Sequence, residues 1–315
     1  MRFGLASGIL WGLDTVILGI ALSLAPFTGT AEAVAFAAIA SSFLHDALCA
    51  GWLFVYMLVR GRLSDTLRAL RTRSGLVVVA GALLGGPIGM TGYMLAINNI
   101  GAAPTAIISS FYPAFGALLS FVLLKERMRP GQLVALGIGL AGIMAIGVIS
   151  SGDSAAGNAA LGLAGACLTV VGWGSEAVLR AWGMRGDTVD NETALQIRET
   201  ASALAYAVVV LPLLGAWPFT AFAAPSAATL VVALSALAGT ASYLFYYKGI
   251  SRIGAARAMA LNVSYSAWAV AFGLVLQGTV PSPATVACCV VILAGTVLAA
   301  SDWNELFGRR HHGQK

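Results

Sequence analysis

The stretch IGAAPTAIISSFYPAF at 100–115 returns as IGAARAMALNVSYSAW at 253–268. Ile100-Gly101-Ala102-Ala103 recurs as Ile253-Gly254-Ala255-Ala256, Tyr112 as Tyr265 and Phe115 as Trp268, each pair 153 residues apart. The same offset joins Tyr93 to Tyr246, Met90 to Tyr243 and Pro130 to Pro283. Near the start of each half, Trp11-Gly12-Leu13-Asp14 is echoed by Trp173-Gly174-Ser175-Glu176. Apolar sequences match easily by chance, but a shared Trp-Gly-x-acid together with landmarks at one constant offset marks an internal repeat.

Both stretches lie inside long apolar runs. Of 315 residues, 59% are apolar types and 10% are charged, with a mean hydropathy of +0.87. An average soluble domain carries about 25% charged residues to keep its surface solvated. So little charge suits a chain whose outside faces lipid. A membrane helix needs about 20 mostly apolar residues. That rule predicts ten spans, at 3–25, 33–59, 75–98, 102–124, 131–150, 158–181, 194–215, 227–248, 255–277 and 283–303. Pro26, Arg129-Pro130-Gly131, Ser151-Gly152-Asp153 and Pro281-Ser282-Pro283 supply breaks between them. Lipid admits only helices or closed barrels, and these runs are too long and continuous for barrel strands. The expected fold is an all-α integral membrane protein: a first five-helix repeat at 1–150, a second at 151–304 and a tail at 305–315.

Lys and Arg set the direction. With the N-terminus inside, Arg60, Arg62, Arg68, Arg71 and Arg73 follow the second span, and Lys125, Arg127 and Arg129 the fourth. Arg180, Arg185 and Arg198 are assigned to the region between the sixth and seventh spans, and Lys248, Arg252 and Arg257 to the next inner loop. With Arg2, Arg309, Arg310 and Lys315, all 18 basic residues fall on one side, so both termini are expected in the cytoplasm and the chain in the cell inner membrane. Arg2, an apolar run and Ala31-Glu32-Ala33 also outline a signal peptide, but the run is too long for a signal core and Asp14 interrupts it.

Five spans per half is an odd number, so the second half enters the bilayer from the opposite side. Inverted repeats characterise secondary transporters, with the site near mid-membrane between the halves. Other classes fit less well. The basic residues form no stripe interleaved with stacking aromatics, so no nucleic-acid partner is expected. Cys49, Cys167, Cys288 and Cys289 all fall in apolar runs without metal-ligand spacing, so neither a disulfide nor a metal is expected. No phosphate-binding Gly-x4-Gly-Lys-Ser/Thr loop is present. An enzyme would need a nucleophile with a base or a metal set, yet the histidines are His45 and the tail pair His311 and His312. No enzyme activity and no cofactor are expected.

Ten helices in two inverted five-helix repeats resemble the drug/metabolite transporter superfamily with its EamA-type repeats, over nearly the whole chain. Several strings are more specifically similar to the bacterial choline permeases of the LicB type, which feed phosphocholine decoration of the cell surface. In the first half they are Gly8-Ile9-Leu10-Trp11-Gly12, His45-Asp46 and Gly81-Ala82-Leu83-Leu84-Gly85-Gly86-Pro87-Ile88-Gly89-Met90. In the second they are Trp173-Gly174-Ser175-Glu176-Ala177-Val178-Leu179 and Leu261-Asn262-Val263-Ser264-Tyr265. The resemblance implies an importer of choline or a related quaternary ammonium. Exporters or importers of amino acids or amphipathic drugs in the same superfamily are the alternative.

Ionisable groups inside a bilayer are expensive and functional by default. Asp14 and Glu176 lie well inside the first and sixth spans, and Trp11 and Trp173 share a helix face with them. A quaternary ammonium nitrogen donates no hydrogen bond, so it is recognised by aromatic faces and diffuse negative charge. The candidate substrate-binding residues are therefore Trp11, Asp14, Met90, Tyr112, Trp173, Glu176, Tyr243, Tyr247, Asn262 and Tyr265. His45 and Asp46, in the middle of the second span, are the proton-coupling candidates, with protons as the coupling ion. Each acid also has a structural reading, as a partner for hydroxyls on a neighbouring helix, and His45 as a partner for Asp46. Arg198 and Glu199 read equally as a gate or a structural ion pair. Gly85, Gly86, Pro87 and Gly89 admit either close helix approach or an unwound segment whose carbonyls line the cavity, the second being preferred. Tyr56 and Tyr206 read as lipid-facing or packing residues, and Trp52, Trp217 and Trp303 as interfacial anchors.

Overall fold

The computed structural model describes residues 1–149, 158–185 and 189–301. The turn at 151–153, Trp303 and the tail at 305–315 with His311 and His312 lie outside the described residues. Among the described residues, ten helices are long and apolar enough to cross a membrane: Arg2–Leu22 (span 1), Ala31–Val59 (span 2), Arg73–Ile100 (span 3), Pro104–Leu124 (span 4), Pro130–Ile149 (span 5), Ala159–Gly183 (span 6), Asn191–Leu214 (span 7), Ala227–Ile253 (span 8), Ala255–Gln277 (span 9) and Pro283–Ala300 (span 10). Short helices at Leu63–Ala69 and Trp217–Ala223 lie in the connections after spans 2 and 7. Among the described residues there is no strand.

Side-chain caps fix where many spans start. Thr30, Thr72, Asn158, Asp190, Ser226 and Ser282 each accept a hydrogen bond from the backbone amide three residues on. The largest edge discrepancy is span 8, which runs past the expected 248 to Ile253. Lys248 does not end it: the ammonium lies 4.9 Å from the Phe3 ring centroid, its stem held along the bundle. Gly254, at φ 84°, ends it. Gly101 takes the same φ of 84° at the end of span 3, so the repeated Ile-Gly-Ala-Ala is a repeated sharp turn between antiparallel helices.

The halves also pack as repeats. Span 1 packs on spans 8 and 9 as span 6 packs on spans 3 and 4, while spans 2 and 7 meet, as do spans 5 and 10. Small residues allow these approaches. A Cβ on Gly92 would stand 2.7 Å from the Gly165 carbonyl oxygen, and one on Gly295 would stand 2.5 Å from the Gly139 nitrogen. Spans 4 and 9 each break at the same repeat position, after Ser109 and after Asn262, and resume at Tyr112 and Tyr265. Ser110 and Ser264 donate to the carbonyls of Ile107 and Leu261, three residues back, which competes with the helical ladder at each break.

Candidate functional site

The breaks in spans 4 and 9 decode the Trp-Gly-x-acid motif. Gly12 sits where a Cβ would be 2.9 Å from the Tyr265 carbonyl oxygen, and Gly174 where one would be 2.9 Å from that of Tyr112. The missing side chain lets span 9 close on span 1, and span 4 on span 6. The preceding tryptophan then meets the tyrosine that starts the resumed helix. Trp11 stacks on Tyr265 at 4.3 Å between centroids, and Trp173 meets Tyr112 edge-on at 5.8 Å. Tyr243 stands 6.4 Å from Trp11, and Tyr93 5.4 Å from Trp173.

These rings border a cavity of about 350 Å³, within the usual range for small-ligand sites. Its lining follows span 1 from Trp11 through Asp14, Thr15 and Leu18 to Leu22, toward the end of the bundle opposite Met1. Toward Met1 the bundle is shut. A Cβ on Gly4 would lie 2.6 Å from Leu261, and one on Gly8 would lie 2.4 Å from the Ser264 hydroxyl. Beside them, Asn262 donates to the Ser7 hydroxyl at 2.6 Å, Ser242 donates to the Ser7 carbonyl at 2.9 Å, and Tyr112 donates to Asn262 at 3.4 Å.

The charged side chains form one chain across the cavity wall. Asp14 is 3.0 Å from His45 Nε2 and accepts from Ser235, and the other imidazole nitrogen is 3.7 Å from Asp46. Asp46 accepts from Ser202 at 2.5 Å and from Arg198 at 3.2 Å. Arg198 also donates to Glu199 at 2.6 Å and to Glu176 Oε1 at 3.0 Å, and Arg180 donates to that same oxygen. Four carboxyl groups thus meet two guanidiniums and one imidazole. With the acids ionised, the cluster is short of neutrality by one or two positive charges, depending on His45. The 153-residue offset carries His45-Asp46 onto Arg198-Glu199. The acid of each half is therefore paired with the repeat-equivalent basic residue: His45 in one, Arg198 in the other.

Trp11, Asp14, His45, Asp46, Met90, Tyr112, Trp173, Glu176, Tyr243, Asn262 and Tyr265 all line the cavity. Tyr247 does not. It is fully buried behind the wall, its ring 4.6 Å from the Arg180 guanidinium carbon. Arg180 and Arg198, counted with the charges between the sixth and seventh spans but inside the predicted 158–181 and 194–215, lie within spans 6 and 7, 2% and 5% exposed, and both line the cavity. Glu176, one helical turn before Arg180, holds it in the bundle. Of the two readings for Tyr206, packing holds: it is buried in the wall and donates to the Gly86 carbonyl at 3.4 Å. Tyr56 donates to Glu192 at 2.9 Å. The glycine-rich segment of span 3 does not unwind. It widens into a π turn at Leu84–Ile88, which accommodates Pro87, and close approach is what its glycines provide. A Cβ on Gly85 would overlap the Glu176 carboxylate, and one on Gly86 would lie 2.2 Å from the Ser202 hydroxyl. Among the described residues, no three His, Cys, Asp or Glu side chains gather to hold a metal.

The profile of the EamA-like transporter family matches residues 1–148 and again 160–301. Protein LicB of Haemophilus influenzae is 29% identical over 216 residues, covering 69% of this chain and 72% of the relative. A solved crystal structure superposes with a TM-score of 0.73 at 21% identity, covering 98% of each chain, a likeness that carries the fold alone.

Proposed function

Because this chain belongs to the EamA-like transporter family, and is a transporter rather than an enzyme, we propose that its cargo is choline or a related quaternary ammonium. Import proceeds by alternating access across the cell inner membrane, with both termini in the cytoplasm and protons coupled through His45 and Asp46. The carrying observation is the stacked Trp11–Tyr265 pair beside Tyr243, with Trp11 three residues from Asp14 in a wall that also carries Asp46 and Glu176. Each ring face offers a cation about 0.5–2 kcal/mol, and the lining carboxylates supply the diffuse charge. The likeness to LicB and the choline-permease resemblance support the same cargo. The lining runs toward the end away from Met1, the outer side in this orientation, which is the side an importer loads from.

Choline uptake by the purified protein in liposomes, under imposed voltage and pH gradients, tests this reading. Uptake with choline-dependent proton movement is expected; uptake that follows voltage alone would leave a uniporter. The two guanidiniums on Glu176 are what a substrate carboxylate would use. Competition by zwitterionic amino acids as effective as that by choline would therefore favour an amino-acid cargo. For orientation, Ser64→Cys is expected to label from the cytoplasm and Ala224→Cys from outside, in a background lacking the exposed Cys167. Labelling of both from one face would overturn the inverted arrangement.

A further inference from the structure

Arg180 is only partly explained by neutralising Glu176. Arg198 already reaches the same carboxylate oxygen at 3.0 Å, so a second guanidinium is not needed there. Arg180 is nevertheless 2% exposed and the largest fully buried side chain among the described residues. Its Nε–H has no hydrogen-bond partner, and neither has the nearby Tyr247 hydroxyl. Ring faces hold it instead. The guanidinium carbon lies 4.6 Å from the Tyr247 centroid, 5.7 Å from that of Tyr243 and 5.9 Å from that of Tyr246. These tyrosines sit at i, i+3 and i+4 on span 8 and share one face. Tyr247 meets the other two edge-on, at 6.5 and 6.4 Å. This is the construction of an aromatic cage for a cationic ligand, filled by a side chain of the protein. Tyr243 and Tyr246 also line the transport cavity, so the cage adjoins the place where a substrate cation would rest.

We propose that Arg180 is a resident cation that plugs a tyrosine cage at the end of the cavity and thereby limits the size of the quaternary ammonium accepted. A trimethylammonium head fits against Trp11, Tyr265 and Tyr243, and bulkier heads are excluded because the aromatic space beyond is occupied. The inference rests on the cation-transport reading above and assigns the specificity-determining residue of that site.

The test is competition against labelled choline, on the purified full chain, by tetramethylammonium, tetraethylammonium and benzyltrimethylammonium. Wild type should rank them by size, smallest best. Arg180→Ala opens the cage, and the bulky cations should gain about tenfold relative to choline, the effect of one or two ring contacts. Free guanidinium at millimolar concentration should refill the cage and reverse the gain, which a merely structural role would not produce. Arg180→Lys should keep the wild-type ranking. Should Arg180→Ala not fold, Tyr247→Leu removes the nearest ring, leaves every charge in place and should shift the ranking in the same direction by less. An unchanged ranking in the variant that folds, or a shift in Arg180→Ala that guanidinium does not reverse, overturns the proposal. Wild type that binds choline alongside that result refutes only the Arg180 inference, whereas wild type that binds no quaternary ammonium refutes the transport reading and this inference with it.

Discussion

Asp14 and Glu176 begin from the same Trp-Gly-x-acid motif and end on chemically different partners. In the first half Asp14 pairs with His45, a base able to take up and release a proton. In the second, Glu176 pairs with Arg198, which stays charged at every pH a cell meets, and with Arg180 as well. The backbone around them is repeated, down to the broken spans 4 and 9 and the tryptophan–tyrosine contacts, so the difference resides in the side chains. One half holds a locked network and the other a titratable one. Under the proposed mechanism, the locked network would serve as a fixed structural pivot and the titratable one as the proton site.

Removing each acid separates the two halves most sharply. Glu176→Gln leaves Arg180 and Arg198 sharing a neutral acceptor inside the bundle, and breaking a buried pair costs about 3–5 kcal/mol. Asp14→Asn allows His45 to become neutral and keep a hydrogen bond, so the cost should be nearer about 1 kcal/mol. Thermal unfolding of the purified variants should therefore show Glu176→Gln far less stable, with choline binding lost. Equal destabilisation would mean that the halves are energetically alike.

The aromatic contacts come next in size. Trp11→Ala removes the ring stacked at 4.3 Å on Tyr265 and should weaken choline binding by about tenfold. Trp217→Ala, half-exposed and bonded to the Ala207 carbonyl, should leave binding near wild type. Calorimetry on both variants distinguishes an aromatic box from general packing. His45→Gln should act more selectively still. It preserves a hydrogen bond to Asp14 but removes the ionisable ring, so uptake should lose its pH dependence while binding persists. A variant with the wild-type pH profile would move proton coupling away from the first half.

The sequence displays the ten spans because lipid tolerates little besides apolar helix, and the repeat because Trp11, Asp14 and Tyr112 keep close counterparts in Trp173, Glu176 and Tyr265. The partners of the acids were harder to see. Arg180 and Arg198 stand near the ends of spans 6 and 7 that adjoin the connection between them, where the rule that sorts loop charges also counts them as loop charges. The correspondence of His45-Asp46 with Arg198-Glu199 was present in the 153-residue offset, but His against Arg scores as no match. Tyr206 opens a π turn at Tyr206–Val210, and regular helical periodicity does not give the direction of a ring at such a point. The glycines of span 3 gave no sign of whether backbone would open or neighbours would approach. Glu176 and Ser202, which fill the space beside Gly85 and Gly86, belong to spans 6 and 7.

The smallest effect expected lies in a second charged cluster, at the connection after span 2. Arg62 after span 2 bonds to Asp65 at 2.8 Å, to Glu192 at 2.5 Å and to Asp190, tying the first half to the start of span 7. Partial burial pushes the Asp190 carboxyl up, but the Thr193 amide and the Arg62 guanidinium more than offset this, so it titrates below its ordinary value. Hydrogen bonds from Arg62 and then Arg68 hold Asp65 low as well. A depressed carboxylate pKa contributes stability that is present above the unfolded value and is lost as pH falls through the folded one. The window therefore lies below about pH 4, the unfolded aspartate value, and the clamp is constant above it. Asp190→Asn retains a good helix cap and removes only the charge. It should lower the melting temperature slightly at pH 7, match wild type once the solution is acid enough to protonate Asp190, and leave the pH profile of uptake unchanged. If uptake between about pH 5 and 8 shifts in Asp190→Asn, the clamp takes part in coupling, and the titratable function is not confined to the Asp14–His45 half.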